Sequence, residues 1–305
     1  MRIRRSIAWC CGSDFNRARQ HLSGPTDAIC LDLEDTAPPK MKPTARLGAL
    51  EMLRNWDFRG KERILRINGV GTEDYEKDMR EVVTPGLPDA IRLPKTERAE
   101  DVLRLDRELS EIEYAAGLAK DSIEVLAMIE SPLGVINAYE IASCCKRVTA
   151  LSIGMEDLTA EMGVPRSYDL TTPDLLYARQ HVVLAAKAAG IQAIDSGFNK
   201  SQDFTFNRPY NEASRQMGFD GRSVADPEQA EVANEIYRPT AEELDWARRA
   251  KAQYEENAAR GEDGGRVDGR HLCAAAYAKA LACLTLEEQI EAAKQRNVDY
   301  SKESK

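Results

Sequence analysis

The chain has 305 residues, enough for one large core or a core with a small appendage, and its 43% hydrophobic and 30% charged residues match an ordinary globular protein. A net charge of −9 argues against a nucleic-acid partner, and no apolar run reaches the roughly 18 residues that a membrane-spanning helix needs. With only three histidines, at 21, 181 and 271, any bound metal must be held by carboxylates.

Seven cysteines, at 10, 11, 30, 144, 145, 273 and 283, form no Cys-x-x-Cys pair and are expected to be reduced, mostly buried apolar residues. The basic start of the chain has no apolar stretch or cleavage site behind it, so a secretory signal is not expected and a cytoplasmic location is.

Short, β-branched-rich apolar segments recur along the chain: Ser6–Cys10, Ala28–Asp32, Ile64–Asn68, Ala90–Lys95, Val125–Glu130, Ala150–Gly154 and Ile191–Asp195, with an eighth near Arg222–Val224. Such runs suit parallel strands buried on both faces. Helical spacing of apolar residues lies between them, at 42–55 (Ala45, Met52, Leu53), at 97–112 (Val102, Leu105, Leu109) and at 174–189, which ends on Gly190. The alternation predicts an α/β fold, a (β/α)8 TIM barrel. A dinucleotide-binding sheet loses ground, because no Gly-x-Gly-x-x-Gly follows an early strand.

Past the barrel, Thr240 and Glu243 form a capping box that opens a helix ending near Gly261. Residues 261–266 read as a flexible linker, 270–284 as a helix, and Thr285 with Glu288 as the start of another. The expected division is a catalytic barrel over 1–235, a helix packing on it over 236–261, and a lid-like extension over 262–305.

Polar residues gather where the predicted strands end, the position of active sites in such barrels. Asp32-Leu33-Glu34-Asp35 closes the second strand, Arg66-Ile67-Asn68 the third and Lys95 the fourth. Glu130 ends the fifth, Glu156-Asp157 follows the sixth, and Asp195 ends the seventh. So many acids at one mouth repel each other unless a cation sits among them, and Mg²⁺ suits carboxylate, water and substrate oxygens. Taken singly, each has a plainer role: a solvated turn at Asp32–Asp35, a loop ion pair at Glu130, a helix cap at Asp157. Arg66 inside an apolar strand demands an anionic partner. Lys95 is a candidate Schiff-base lysine only if it is desolvated.

With these residues in place, the sequence resembles the citrate lyase β-subunit / HpcH–HpaI aldolase superfamily, in its CoA-ester lyase branch. The similarity rests on an ordered series: Arg5-Ser6, Asp32-Leu33-Glu34-Asp35, Arg66-Ile67-Asn68, Leu93-Pro94-Lys95, Glu130-Ser131-Pro132-Leu133-Gly134, Gly154-Met155-Glu156-Asp157-Leu158, and Gly218-Phe219-Asp220-Gly221-Arg222. The resemblance implies Mg²⁺, or Mn²⁺ in its place, held by Glu130 and Asp157. It implies Arg66 on the substrate's carboxylate or oxyanion, beside Gly154, Met155 and Glu156, with Asp32, Glu34 and Asp35 supporting the metal site. The implied reaction is reversible cleavage of a 3-hydroxyacyl-CoA, such as malyl-CoA or citramalyl-CoA, into an acyl-CoA and a 2-oxo acid, by a homotrimer or hexamer. Coenzyme A enters as part of the substrate.

Two stretches depart from that branch. Ala225-Asp226-Pro227-Glu228-Gln229 stands where many members read Ile-His-Pro-x-Gln. Asp268-Gly269-Arg270-His271-Leu272-Cys273 puts Cys273 in place of the lid aspartate that acts as acid/base, with His271 as a possible substitute. An aldolase acting on a free hydroxy-oxo acid, an acyl-CoA thioesterase and a non-catalytic subunit are the competing expectations.

Overall fold

The computed structural model describes residues 2–167, 169, 172–197 and 204–303, with side chains left aside at 204–206 and 296–303. Eight parallel strands close into a barrel in chain order: β1 Ser6–Cys11, β2 Ala28–Asp32, β3 Glu62–Arg66, β4 Ala90–Leu93, β5 Glu124–Ile129, β6 Val148–Ile153, β7 Gln192–Asp195 and β8 Gly221–Val224. All eight segments expected from their apolar character form strands, within a few residues of the expected ends. Helices between them include Lys42–Asn55, Ala99–Ala116 and Leu176–Ala188.

Strand side chains alternate between the barrel interior and the helix layer. Ile7, Cys30, Ile64, Ala90, Leu126, Ala150 and Ile194 point inward and pack together, with Trp9 against them. Below them Arg4 reaches Glu62 at 2.7 Å, Gln192 at 3.1 Å and also Glu124, closing the N-terminal end of the barrel with paired charges. The C-terminal strand ends are left to build a site.

The chain divides into two compact units, Met1–Glu235 and Ile236–Lys305. In the second, Thr240 and Glu243 form the expected reciprocal cap, at 2.8 and 3.1 Å, on the helix Ala241–Ala259. Ala247 and Ala250 of that helix pack with Val267, Leu272 and Ala280. Two expectations for the tail need correction. The helix expected over 270–284 starts only at Ala274, because a hairpin takes the residues before it: β9 Arg266–Val267 pairs with β10 Arg270–His271. Asp268 and Gly269, at φ 49° and 75°, supply its two-residue turn. And Thr285 starts no new helix: a single helix runs Ala274–Glu303, because no glycine or proline interrupts it and a capping motif inside a continuous helix-forming run has no free N–H groups to cap.

Candidate active site

Asp32, Arg66 and Arg92 are register partners across β2, β3 and β4, and so form a row at the barrel mouth. Arg66 grips Asp32 with two parallel hydrogen bonds of 2.7 Å, and its third nitrogen meets Glu34 at 2.7 Å and Asp35 at 3.2 Å. Asp32 also accepts from the backbone of Glu34 and from the N–H and hydroxyl of Thr36, which folds the turn after β2 around it. Burial pushes the Asp32 carboxyl up, but the hydrogen bonds and charge of Arg66 outweigh that and hold it below the usual range. The segment is thus a structured turn built around a charge cluster, and the solvated turn considered for it is not what forms, because Asp32, Leu33 and Glu34 are buried.

Glu130 follows β5 and is almost fully buried. The backbone N–H of Lys95 donates to its Oε1 at 2.5 Å, while Oε2 is buried without a hydrogen-bond partner. Burial above all, with the charges of Glu34 and Asp157, raises its pKa to about 8, against the lowering effect of the Lys95 N–H and of Arg66. Asp157 lies in the first turn of the helix Met155–Met162, whose N-cap is Gly154. Gly154 packs directly on Glu130, and only a residue without Cβ allows that approach. An orphaned carboxylate oxygen, a second carboxylate that acts on it through space, and a helix start beside them fit a cation bound by one or two carboxylates. Among the described residues no group of three or more His, Cys, Asp and Glu is placed to hold a metal ion by itself, so substrate and water would complete the shell.

A cavity of about 250 Å³ opens here, and Asp35, Arg66, Gly154, Met155, Glu156 and Asp157 line it. Six of the expected site residues therefore share one space, with Asp32, Glu34 and Glu130 packed beside it. Lys95 is half exposed, and its ammonium sits 2.8 Å from Glu34, which raises its pKa. It lacks the desolvation that a Schiff-base lysine needs.

Other strand-end residues go elsewhere. Asp195, next to inward-facing Ile194, turns to the helix layer and pairs with Arg179 at 2.5 Å, so it belongs to the scaffold. Lys42 and Arg46, basic residues near this mouth, spend their donors internally: Lys42 on Leu33, Glu34 and Asn68, Arg46 on Asp74 and Asp78. Cys273 and His271 lie in the C-terminal unit, both exposed. Sequence reasoning missed Trp9, Arg92 and Ser223, which also line the cavity. The signal was there for Arg92, a charged residue within an apolar strand, as it was for Arg66.

Residues 5–227 match the family model described as HpcH/HpaI aldolase/citrate lyase. The citrate lyase subunit beta of Escherichia coli (strain K12) is 36% identical over 248 residues, 81% of each chain. A (3S)-malyl-CoA thioesterase of Cereibacter sphaeroides (strain ATCC 17029 / ATH 2.4.9) is 34% identical over 270 residues, covering 87% of this chain and 88% of the relative. Among solved structures, CitE from Mycobacterium tuberculosis in complex with magnesium, acetoacetate and coenzyme A superposes with a TM-score of 0.74 at 26% identity, over 93% of this chain and 97% of that one.

Proposed function

Because the chain belongs to the HpcH/HpaI aldolase/citrate lyase family, we propose that it is a Mg²⁺-dependent carbon–carbon lyase acting on a 3-hydroxyacyl-CoA such as malyl-CoA or citramalyl-CoA. The products are an acyl-CoA and a 2-oxo acid. The observation that carries this reading is the buried Glu130 carboxylate, with an unpartnered oxygen, packed against Gly154 beside a cavity that Gly154, Asp157 and Arg66 line.

Cleavage removes the proton of the 3-hydroxyl, breaks the C2–C3 bond and leaves the electron pair on the thioester enolate, which takes up a proton at carbon. Glu130 and Asp157 would hold the metal, Mg²⁺ or Mn²⁺, which when bound supplies Lewis-acid stabilisation of the oxygen on the departing oxo acid. Asp32, Glu34 and Asp35 fix the Arg66 guanidinium, so its positive charge is oriented before substrate arrives and costs little reorganisation. Arg66 then faces the oxo-acid oxygens. In the same reading residues 262–305 are a lid-like extension in which Cys273 or His271 serves as acid/base toward the thioester half, and the working form is a homotrimer or hexamer.

The test is release of a 2-oxo acid from malyl-CoA and citramalyl-CoA by wild type, Glu130→Gln and Asp157→Asn. Loss of metal-dependent turnover in both variants, with the fold retained, is the expected result; wild-type turnover in either one rejects the mechanism. The similarity to a thioesterase supports a second reading, in which water attacks the thioester. Free CoA with an intact hydroxy acid and no oxo acid is its signature.

A further inference from the structure

The chain holds two pairs of adjacent cysteines, and the fold treats them in opposite ways. Cys10 and Cys11 are both in β1, where successive side chains point to opposite faces of the sheet. Cys10 is buried, and Cys11 instead meets the Ser13 hydroxyl at 3.4 Å. Cys144 and Cys145 lie where the chain turns. Cys144, with αR backbone, caps the helix Ala138–Ser143, and Cys145 opens the turn whose Val148 N–H returns to its carbonyl at 3.4 Å. Their side chains lean together: the Cys144 sulfur is 3.2 Å from the Ile141 carbonyl oxygen and is also hydrogen-bonded to Cys145. Both are half-buried, so solvent reaches both.

The two sulfurs are not equivalent. The Cys144 hydrogen bond above all brings the Cys145 thiol down to about 7, helped by the backbone N–H groups of Val148 and Arg147 and opposed by burial and by Asp106. The same contact, followed by burial, pushes Cys144 up, so it keeps its proton. The nearby charges are already satisfied, since Arg147 holds Asp106 at 2.8 Å and Glu113 at 2.6 Å. A thiolate touching a protonated thiol is an arrangement of nucleophile and resolving group. A bond between the two sulfurs would be strained, because adjacent Cα atoms lie about 3.8 Å apart and ordinary disulfides span about 4.4–6.8 Å. Strain of that kind makes a disulfide easily reduced, which leaves the pair as thiols until an oxidant arrives.

We propose that Cys144 and Cys145 are a reversible oxidation site for hydroperoxides, with Cys145 as the attacking sulfur and Cys144 as the resolving one. The Cys145 thiolate attacks the terminal peroxide oxygen, the O–O bond breaks, and Cys145 becomes a sulfenic acid while the departing alkoxide takes a proton from water. The Cys144 sulfur then attacks the Cys145 sulfur. The S–S bond forms, the S–O bond breaks, and hydroxide leaves with the Cys144 proton as water. Two thiols are oxidised to one disulfide, and the peroxide is reduced to an alcohol and water. The pair precedes β6, whereas the cavity lies at the other end of that strand, so the proposal is independent of the lyase reading.

The full-length protein, as wild type, Cys144→Ser and Cys145→Ser, is treated with tert-butyl hydroperoxide, alkylated in denaturant and digested for mass spectrometry. In wild type the peptide carrying both residues is expected to lose two hydrogens and to resist alkylation until a monothiol restores it. The peptide with Cys10 and Cys11 should stay fully alkylated. Cys144→Ser is expected to stop at a sulfenic acid on Cys145, which dimedone traps. Cys145→Ser is expected to slow oxidation of Cys144 at least about 10-fold, in line with its smaller thiolate fraction. Wild type that keeps both thiols, or gains only oxygen, overturns the proposal. So does an unlabelled Cys145 in Cys144→Ser, or Cys144 reacting at the wild-type rate in Cys145→Ser. Should either variant not fold, dimedone present during wild-type oxidation decides the matter: label on Cys145 supports the assignment, and label on Cys144 or on neither overturns it.

Discussion

A Cβ placed on Gly154 would lie 2.5 Å from Oε2 of Glu130 and 2.8 Å from its Cβ, so the two residues are in contact across the ends of β5 and β6. The glycine is thus what lets the carboxylate sit against the start of the next helix. Gly154→Ala is expected to push Glu130 aside and weaken Mg²⁺ binding by about 10- to 100-fold, the range for misaligned support around a metal ligand. Calorimetric titration with Mg²⁺ reads it, and circular dichroism confirms the fold. Unchanged affinity would separate Glu130 from the metal.

The raised pKa of Glu130 gives Mg²⁺ binding a pH dependence with a definite sign. The carboxyl titrates near its ordinary 4.5 when unfolded and at about 8 when folded. Between those values the folded chain holds the extra proton, so the stabilisation from this group is full below about 4.5 and is lost as pH rises through 8, at about 1.4 kcal/mol per pH unit. Mg²⁺ must displace that proton. Its effect on Tm should therefore grow from pH 6 to pH 8.5 and be flat in Glu130→Gln. A thermal shift that is equal at both pH values rules out Glu130 as the group.

Arg66 and Asp32 test the value of a buried pair. Asp32→Asn removes the bidentate partner and leaves a buried guanidinium shared by Glu34 and Asp35, with an expected loss on the order of 3 kcal/mol in urea unfolding. A loss under about 0.5 kcal/mol would equate the pair with a surface ion pair. Asp195→Asn is the control. It breaks the pair with Arg179 and should lower stability while Mg²⁺ affinity holds.

The barrel was legible because each strand is a short apolar run, which local sequence displays directly. Most of the site was legible for a related reason: strand ends are countable, and Glu130, Asp157 and Arg66 sit at or just beyond them. Which side of the barrel wall a residue faces depends on the strand's phase, and one residue of shift reverses it. That is why Asp195 was grouped with the mouth, whereas its neighbour Ile194 faces in. Arg92 was passed over for a different reason. Its contacts with Ser223 and Trp9 join residues far apart in the chain, and neither partner carries a charge that would advertise the pairing.

The role of Cys273 can be tested through its chemistry. Backbone N–H groups of Ala276 and then Ala275, at the start of the helix Ala274–Glu303, lower the pKa of this exposed thiol. Burial raises the thiols of Cys10 and Cys30, the latter to about 12. Alkylation at neutral pH should therefore modify exposed Cys273, along with half-buried Cys145, whose thiol the Cys144 hydrogen bond lowers, well before Cys10 and Cys30, as peptide mass spectrometry will show. If this thiol serves the thioester half of the reaction, turnover falls in step with its modification while Mg²⁺-dependent oxo-acid binding persists, because the two halves use different groups. Full activity after complete modification of Cys273 would remove it from the chemistry and leave His271 as the remaining candidate in that hairpin.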